Sequence, residues 1–146
     1  MMNSALFDES TFYHNFIRDL ENCSTEVFIE SPFITSKRSQ QLIPVFQNLL
    51  LRGVKIYVMT KDPKEHEENM GYQSEDTIRA FETIGVQVLL CVGNHHRKLA
   101  ILDREVLWEG SLNILSQTKS REIMRRIENK ELAIEMFKFL RLSKFI

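Results

Sequence analysis

Residues 95–113 run His95-His-Arg-Lys-Leu-Ala-Ile-Leu-Asp103, then Arg-Glu, then Val106-Leu-Trp-Glu-Gly-Ser-Leu-Asn113. Two short runs rich in branched and aromatic residues, Lys98–Asp103 and Val106–Glu109, flank the polar pair Arg104-Glu105, and this pattern predicts a β-hairpin. Side chains alternate faces along a strand, so His96 and Lys98 fall on one side while Arg97 and Leu99 fall on the other. Gly110, Ser111 and Asn113 follow the second strand, where they add a flexible backbone position, a hydroxyl and an amide.

Outward from the hairpin, strands and helices alternate. Phe12, Phe16, Ile17 and Leu20 recur at helical spacing behind Asp8 and Glu9, which predicts a first helix over about residues 8–22. Glu26–Ser31 reads as a strand closed by Pro32. Ser36 or Ser39 then caps a helix with the stripe Leu42, Val45, Phe46, Leu49 and Leu50, ending near Gly53. Val54–Met59 reads as a strand, Lys61–Met70 as a surface loop, Asp76–Ile84 as a helix and Val86–Cys91 as a strand. A strand near Glu122–Ile127 and an amphipathic helix carrying Leu132, Ile134, Met136, Phe137 and Leu140 complete the series. The fold class expected is α/β, a mixed sheet sandwiched by helices, because the late hairpin adds antiparallel pairs to an otherwise parallel alternation.

Length and composition set bounds. At 146 residues, 43% hydrophobic and 27% charged, the chain suits one domain over residues 1–146, as a whole protein or as a domain of a longer one. The longest apolar runs, such as Val86–Val92, fall far short of the roughly 20 residues needed to span a bilayer. Met1–Ser10 lacks the basic start and apolar run of an export signal, so a cytoplasmic location is expected. Cys23 and Cys91 suit reduced thiols better than a disulfide or a metal site, and no membrane partner is implied. Net charge is near −1, so any basic surface for nucleic acid must be local; Lys119, Arg121, Arg125, Arg126 and Lys130 are the candidates. Strand alternation puts Arg125 and Arg126 on opposite faces, which divides that cluster.

Taken alone, His96 and Lys98 read best as polar residues on the solvent face of a strand. Joined to the later element they read differently, because His96-x-Lys98-x-x-x-x-Asp103 with Gly110-Ser111-x-Asn113 resembles the signature of the phospholipase D superfamily at all six fixed positions. Glu30-Ser-Pro-Phe-Ile-Thr35 and Ser120-Arg-Glu-Ile-Met124, within Ser116–Ile127, more weakly resemble segments of members linked to DNA helicases. The resemblance implies phosphodiester cleavage in two displacements: one motif histidine attacks phosphorus, a second protonates the leaving oxygen, and water releases the phosphohistidine.

Carried over residue by residue, the resemblance makes His96 nucleophile or general acid, and Lys98, Ser111 and Asn113 the phosphate-binding groups. Asp103 matches the motif aspartate and is counted with His96, Lys98 and Glu122 in the catalytic set, though it is expected to support the loop more than to touch substrate. Glu122 is expected to orient His96 from behind, with Glu128 the competing choice. No metal ligand set and no cofactor are expected. Tandem His95-His96 lacks Cys or carboxylate neighbours at ligand spacing. Trp108 is expected in the core, base stacking being the alternative. The motif occurs once, since His14 and His66 lack a lysine two residues on, so a homodimer with its site at the two-fold interface is expected. The function expected is a metal-independent nuclease, on DNA before RNA. The alternatives are a phosphate- or nucleic-acid-binding module appended to a helicase or restriction-type protein and, behind it, a lipid phosphodiesterase.

Overall fold

The computed structural model describes residues 3–116 and 119–146, the side chains of 68–70 excepted. In chain order the elements are β1 (Asn3–Asp8), α1 (Phe12–Glu21), β2 (Glu26–Glu30), α2 (Ser36–Leu51), β3 (Lys55–Lys61), α3 (Glu68–Ile84), β4 (Gln87–Cys91), β5 (Leu99–Leu102), β6 (Val106–Gly110), β7 (Ile123–Glu128) and α4 (Lys130–Phe139). Short 3₁₀ turns lie at Pro63–Glu65 and Leu142–Phe145. The strands form one sheet in the order β1-β7-β6-β5-β2-β3-β4. β2, β3 and β4 are parallel, whereas β5 pairs antiparallel with β2, and β6, β7 and β1 continue antiparallel outward. The mixed sheet expected from the alternation is therefore what forms.

Helices cover both faces. Phe12, Phe16 and Leu20 of α1, Leu42, Phe46 and Leu49 of α2 and Ile78 and Phe81 of α3 pack on one face with Val27, Ile29, Val58, Ala100 and Trp108. Ala133 and Phe137 of α4, and Leu140 just after it, pack on the other with Phe28, Tyr57, Leu99, Ile101 and Leu107. Every residue of β2 is buried because the strand lies inside the sheet with both faces covered. Its end residues Glu26 and Glu30 are nevertheless carboxylates, and buried carboxylates persist only when paired. Glu26 takes a two-pronged contact from Arg104, at 2.6 and 3.2 Å, and Arg104 also lies 3.9 Å over the Phe137 ring.

Two expectations fail. The first helix begins at Phe12, since Asn3–Asp8 is an edge strand paired with β7 from Asn3↔Glu128 to Asp8↔Ile123. Asp8 ends that strand instead of opening the helix: its Oδ1 accepts from the Ser10 amide at 2.9 Å and the Thr11 amide at 3.1 Å. The charged stretch up to Met70 is not all loop either, because α3 starts at Glu68. Its first turns pack against a backbone turn rather than an apolar layer: a Cβ on Gly71 would come within 2.9 Å of the Pro63 carbonyl oxygen. An apolar stripe is therefore missing where the helix begins.

Candidate active site

The register lines up four chain segments at one end of the sheet. Glu30 of β2 stands opposite Leu99 of β5, Leu99 opposite Glu109 of β6, and Gly110 opposite Met124 of β7. β5 begins at Leu99, so His96 and Lys98 lie in the lead-in to the strand and not in the strand itself. Alternation persists through that lead-in, since His95 and Arg97 both approach Glu30 from one side. Lys98 is tied in twice: its carbonyl accepts from the Gly110 amide at 3.3 Å, and its ammonium donates to the His96 carbonyl at 2.8 Å. An ammonium has three donors, so two remain for an anion. The His96 residue is exposed, and among the described residues no side-chain hydrogen bond holds its imidazole.

Gly110 is needed for a reason different from the one its sequence suggests. A Cβ there would overlap the Ile123 carbonyl oxygen and come within 2.9 Å of Met124 Cα and Sδ, so the glycine admits the β7 backbone. Ser111 prolongs that pairing: its amide donates to the Ile123 carbonyl at 2.9 Å and its Oγ accepts from the Ile123 amide at 3.0 Å. Among the described residues the hydroxyl proton meets a long 3.5 Å contact with the same carbonyl, which leaves it available to an anion. Lys98, Gly110 and Ser111 share an open groove of about 710 Å³ with Arg97 and Arg125.

Asn113 stands apart from that groove. Its Oδ1 is buried and meets no hydrogen-bond partner among the described residues, while its carbonyl accepts from the Tyr13 hydroxyl at 3.3 Å. The one proton of the Tyr13 hydroxyl is shared among the carbonyls of Asn113, Ile114 and Ser116, so α1 holds the loop after Ser111 from beneath, and burial pushes the phenol's pKa up. Neither Tyr13 nor Glu30 was a candidate from sequence, although both brace this end of the sheet.

Asp103 is not at the site. It sits at the far end of β5, where its carboxylate accepts from the amides of Ser24, Thr25 and Glu26 at 2.9, 2.8 and 3.0 Å. The expectation that it supports a loop fits this geometry; a place among the catalytic groups does not, because β5 separates it from Lys98. Glu128 is likewise at the wrong end, opposite Val106 and Asn3. Glu122 is at the right end, beside Ile123, with its carboxylate accepting from Ser120 Oγ at 2.8 Å and its amide donating to Glu9 at 2.8 Å. Arg125 and Arg126 do diverge: Arg125 reaches Ser4 at 2.5 Å, and Arg126 forks onto Asp19 of α1 at 2.7 and 3.0 Å. Trp108 is wholly buried against Phe7, Phe12 and Phe16 and donates to Asp19 at 2.8 Å, so it cannot stack on a base. Residues 117–118, within the Ser116–Ile127 segment of the resemblance, lie outside the described residues.

Burial pushes the Glu30 carboxyl above the usual carboxylate range, and the Arg97 guanidinium pulls it back. Burial pushes the His95 imidazole below its ordinary value, helped by Arg97, His96 and Lys98. Cys23 and Cys91 are free thiols, Cys23 buried and Cys91 half-buried. Among the described residues no three His, Cys, Asp or Glu side chains group to hold a metal ion, and no helix is long and apolar enough to cross a membrane.

With this geometry in view, three comparisons place the chain. The solved structure of Nuc, a phospholipase D family member from Salmonella typhimurium, superposes with a TM-score of 0.77 at 17% identity, covering 97% of this chain and 93% of that one. NucT from Helicobacter pylori gives 0.74 at 15% identity, covering 97% and 94%. Polyphosphate kinase from Porphyromonas gingivalis gives 0.74 at 11% identity over 96% of this chain but only 26% of the other, so there the fold is one part of a larger protein. No curated protein matches by sequence. The family model described as "Cardiolipin synthase, PLD-like domain" matches residues 16–141, and the chain belongs to that phospholipase D-like family.

Proposed function

We propose that the chain is a metal-independent phosphodiesterase that cleaves nucleic acid, DNA in preference to RNA, through a phosphohistidine at His96. The observation that carries this reading is the pairing of Lys98 with Gly110 across the β5–β6 hairpin, which supports a site where Lys98 and Ser111, both lining one groove, act together with His96 two residues before Lys98. Lys98 and Ser111 bind the non-bridging oxygens, whose charge rises as the imidazole attacks phosphorus. Asn113 is the third phosphate ligand, reached by a side-chain rotation out of its present pocket. The P–O bond to the leaving strand breaks as an imidazolium protonates that oxygen. Water then attacks phosphorus, its proton passing to the imidazole left neutral by the first step, and the P–N bond breaks to release the phosphate and free His96. Glu122 is the acidic residue placed to orient His96.

One chain supplies one motif histidine, so the acid is His96 of the partner subunit in a homodimer closed about a two-fold axis. Arg97, Lys98 and Arg125 outnumber the single carboxylate Glu109 in the lining of the groove, a local cationic surplus on a chain of net charge −1 that favours a polyanion. A lipid phosphodiester is the second reading, favoured by the apolar side of the same groove, where Leu6, Ile123 and Phe139 are 61, 62 and 78% exposed.

The test is hydrolysis of labelled single- and double-stranded DNA, RNA and phospholipid vesicles, in excess EDTA, by wild type, His96→Ala and Lys98→Ala. DNA cleavage that survives chelation and falls at least about 10³-fold in His96→Ala is expected. Cleavage of vesicles alone would move the assignment to lipid, and cleavage by His96→Ala at the wild-type rate would overturn the phosphohistidine. Excess His96→Ala chains, exchanged into wild-type dimers, should depress activity below simple dilution.

A further inference from the structure

We infer that Glu30 is a positioning residue for His96, fixing the backbone of residue 96 through the Arg97 guanidinium, with the buried His95 ring packed beside the same carboxylate. This rests on the proposed role of His96. His95 to Lys98 precede β5 and lack the continuous ladder that fixes a strand. Two backbone contacts hold the segment, the His95 amide to the Gly93 carbonyl at 2.8 Å and the Gly110 amide to the Lys98 carbonyl at 3.3 Å. Between them, the Lys98 ammonium holds the His96 carbonyl at 2.8 Å from one side, and on the other the backbone of residue 96 is placed by the Arg97 side chain. Arg97 donates to Glu30 Oε1 at 3.1 Å, and the His95 Nε2 stands 3.7 Å from the same oxygen.

The anchor is rigid. Glu30 is 1% exposed and its backbone is locked between β5 and β3, opposite Leu99 and Met59. The arms are not equal: His95 is buried, whereas the Arg97 side chain is 55% exposed and spans from solvent to the buried carboxylate. Glu30 Oε2 and His95 Nε2 are buried without a hydrogen-bond partner among the described residues, so the His95 arm is a packing contact at 3.7 Å and the Arg97 arm carries the hydrogen bond. A buried, half-satisfied polar cluster is costly unless it has a task, and here it flanks the reacting residue on both sides. A hydrolase that must hold an imidazole in line with phosphorus gains from such a clamp, since misplacement by about 1 Å costs on the order of 10²-fold in rate.

Glu26 supplies the control. It ends the same strand, is buried and binds an arginine, but it braces the β5–β6 turn away from the groove. Glu30→Gln, Glu26→Gln and Arg97→Gln are compared in the full chain by kcat and KM on labelled DNA and by ¹³C–¹H NMR of the histidine rings, with the His96 signal assigned by its loss in His96→Ala. Glu30→Gln is expected to lower kcat about 10- to 100-fold with KM within about 2-fold, and to shift or broaden the His96 signal. Glu26→Gln should leave kcat, KM and that signal at their wild-type values. Equal losses of kcat in Glu30→Gln and Glu26→Gln, or an unchanged His96 signal in Glu30→Gln, would overturn the clamp. Should Glu30→Gln not fold, Arg97→Gln, altered at an exposed side chain, decides by the same signal: a shift supports the clamp and no shift overturns it. Should His96→Ala prove fully active, the phosphohistidine reading falls, and the NMR comparison still decides whether Glu30 orders residue 96.

Discussion

Asp103→Ala separates support from catalysis at the third fixed position of the motif. The carboxylate uses both oxygens, Oδ2 for the Ser24 amide and Oδ1 for the amides of Thr25 and Glu26. A hydrogen bond to a charged acceptor contributes about 1.5–3 kcal/mol net when shielded. Only the Glu26 bond is partly buried; the other two donors turn to water when the carboxylate is removed and count for about 0.5–1 kcal/mol each. Asp103 also has φ 55°, a left-handed conformation that aspartate tolerates better than alanine by roughly 0.5–1 kcal/mol. Together these cost about 4 kcal/mol. In a chain of this size each kcal/mol lowers Tm by about 2–4 °C, so a drop of about 8–16 °C is expected.

The assay is urea unfolding beside kinetics under conditions where the variant stays folded. Five residues of extended chain put Asp103 about 16 Å from Lys98, so kcat/KM per folded molecule should stay within about 2-fold of wild type. A variant that lost less than about 1 kcal/mol of stability but 10²-fold or more in kcat would refute the reasoning and return Asp103 to the catalytic groups.

Gly110→Ala should destabilise the protein by about 1–3 kcal/mol and lower activity with it, because the added methyl wedges β6 from β7 at Ile123; thermal melting and kinetics check both, and an unchanged Tm would refute the close approach. Acidification should destabilise the fold through His95, whose folded pKa lies below the ordinary 6.5: the unfolded chain takes up the proton first, so the stability this residue contributes above about pH 6.5 is lost as pH falls through the folded value. His66, also pushed down by burial, adds a loss of the same sign, so His95→Gln should flatten the decline between pH 7.5 and 5.5 only in part, as read by urea midpoints. Glu30, pushed up by burial, acts with the opposite sign: its contribution is complete below about pH 4.5 and is lost as pH rises through its folded value.

The hairpin, the central strands and the apolar stripes of the four helices could be read from periodicity because each carries its own pattern. β1 could not. Asn3-Ser-Ala-Leu-Phe-Asp8 has no β-branched residue and is mostly exposed, and it is a strand only because β7, some 120 residues later, offers an edge. Glu30 shows the same limit at the site. From sequence it is a polar residue closing a strand; the antiparallel β2–β5 register alone reveals that it stands beside Leu99 and therefore behind His95 and Arg97. Tyr13 is hidden in a helical stripe for the same reason, its hydroxyl meeting carbonyls 100 residues away.

The spacing of the motif, by contrast, becomes intelligible as an outward and a return path. From Lys98 the chain runs along β5 to Asp103, turns through Arg104 and Glu105, and comes back along β6 to Gly110, whose amide meets the Lys98 carbonyl. The interval between lysine and aspartate is one strand length, and the interval from aspartate to glycine is the turn plus the return strand. A residue added to either strand alone would shift the β5–β6 register by one, carry Ser111 past Lys98 and turn its hydroxyl to the other face. The aspartate is thus fixed in sequence because the hairpin must be tethered where it turns, and the glycine because its return must pass close to β7. Two of the six positions in the signature are in this way requirements of the scaffold, and they bring the imidazole, ammonium, hydroxyl and amide of the other four to one end of the sheet.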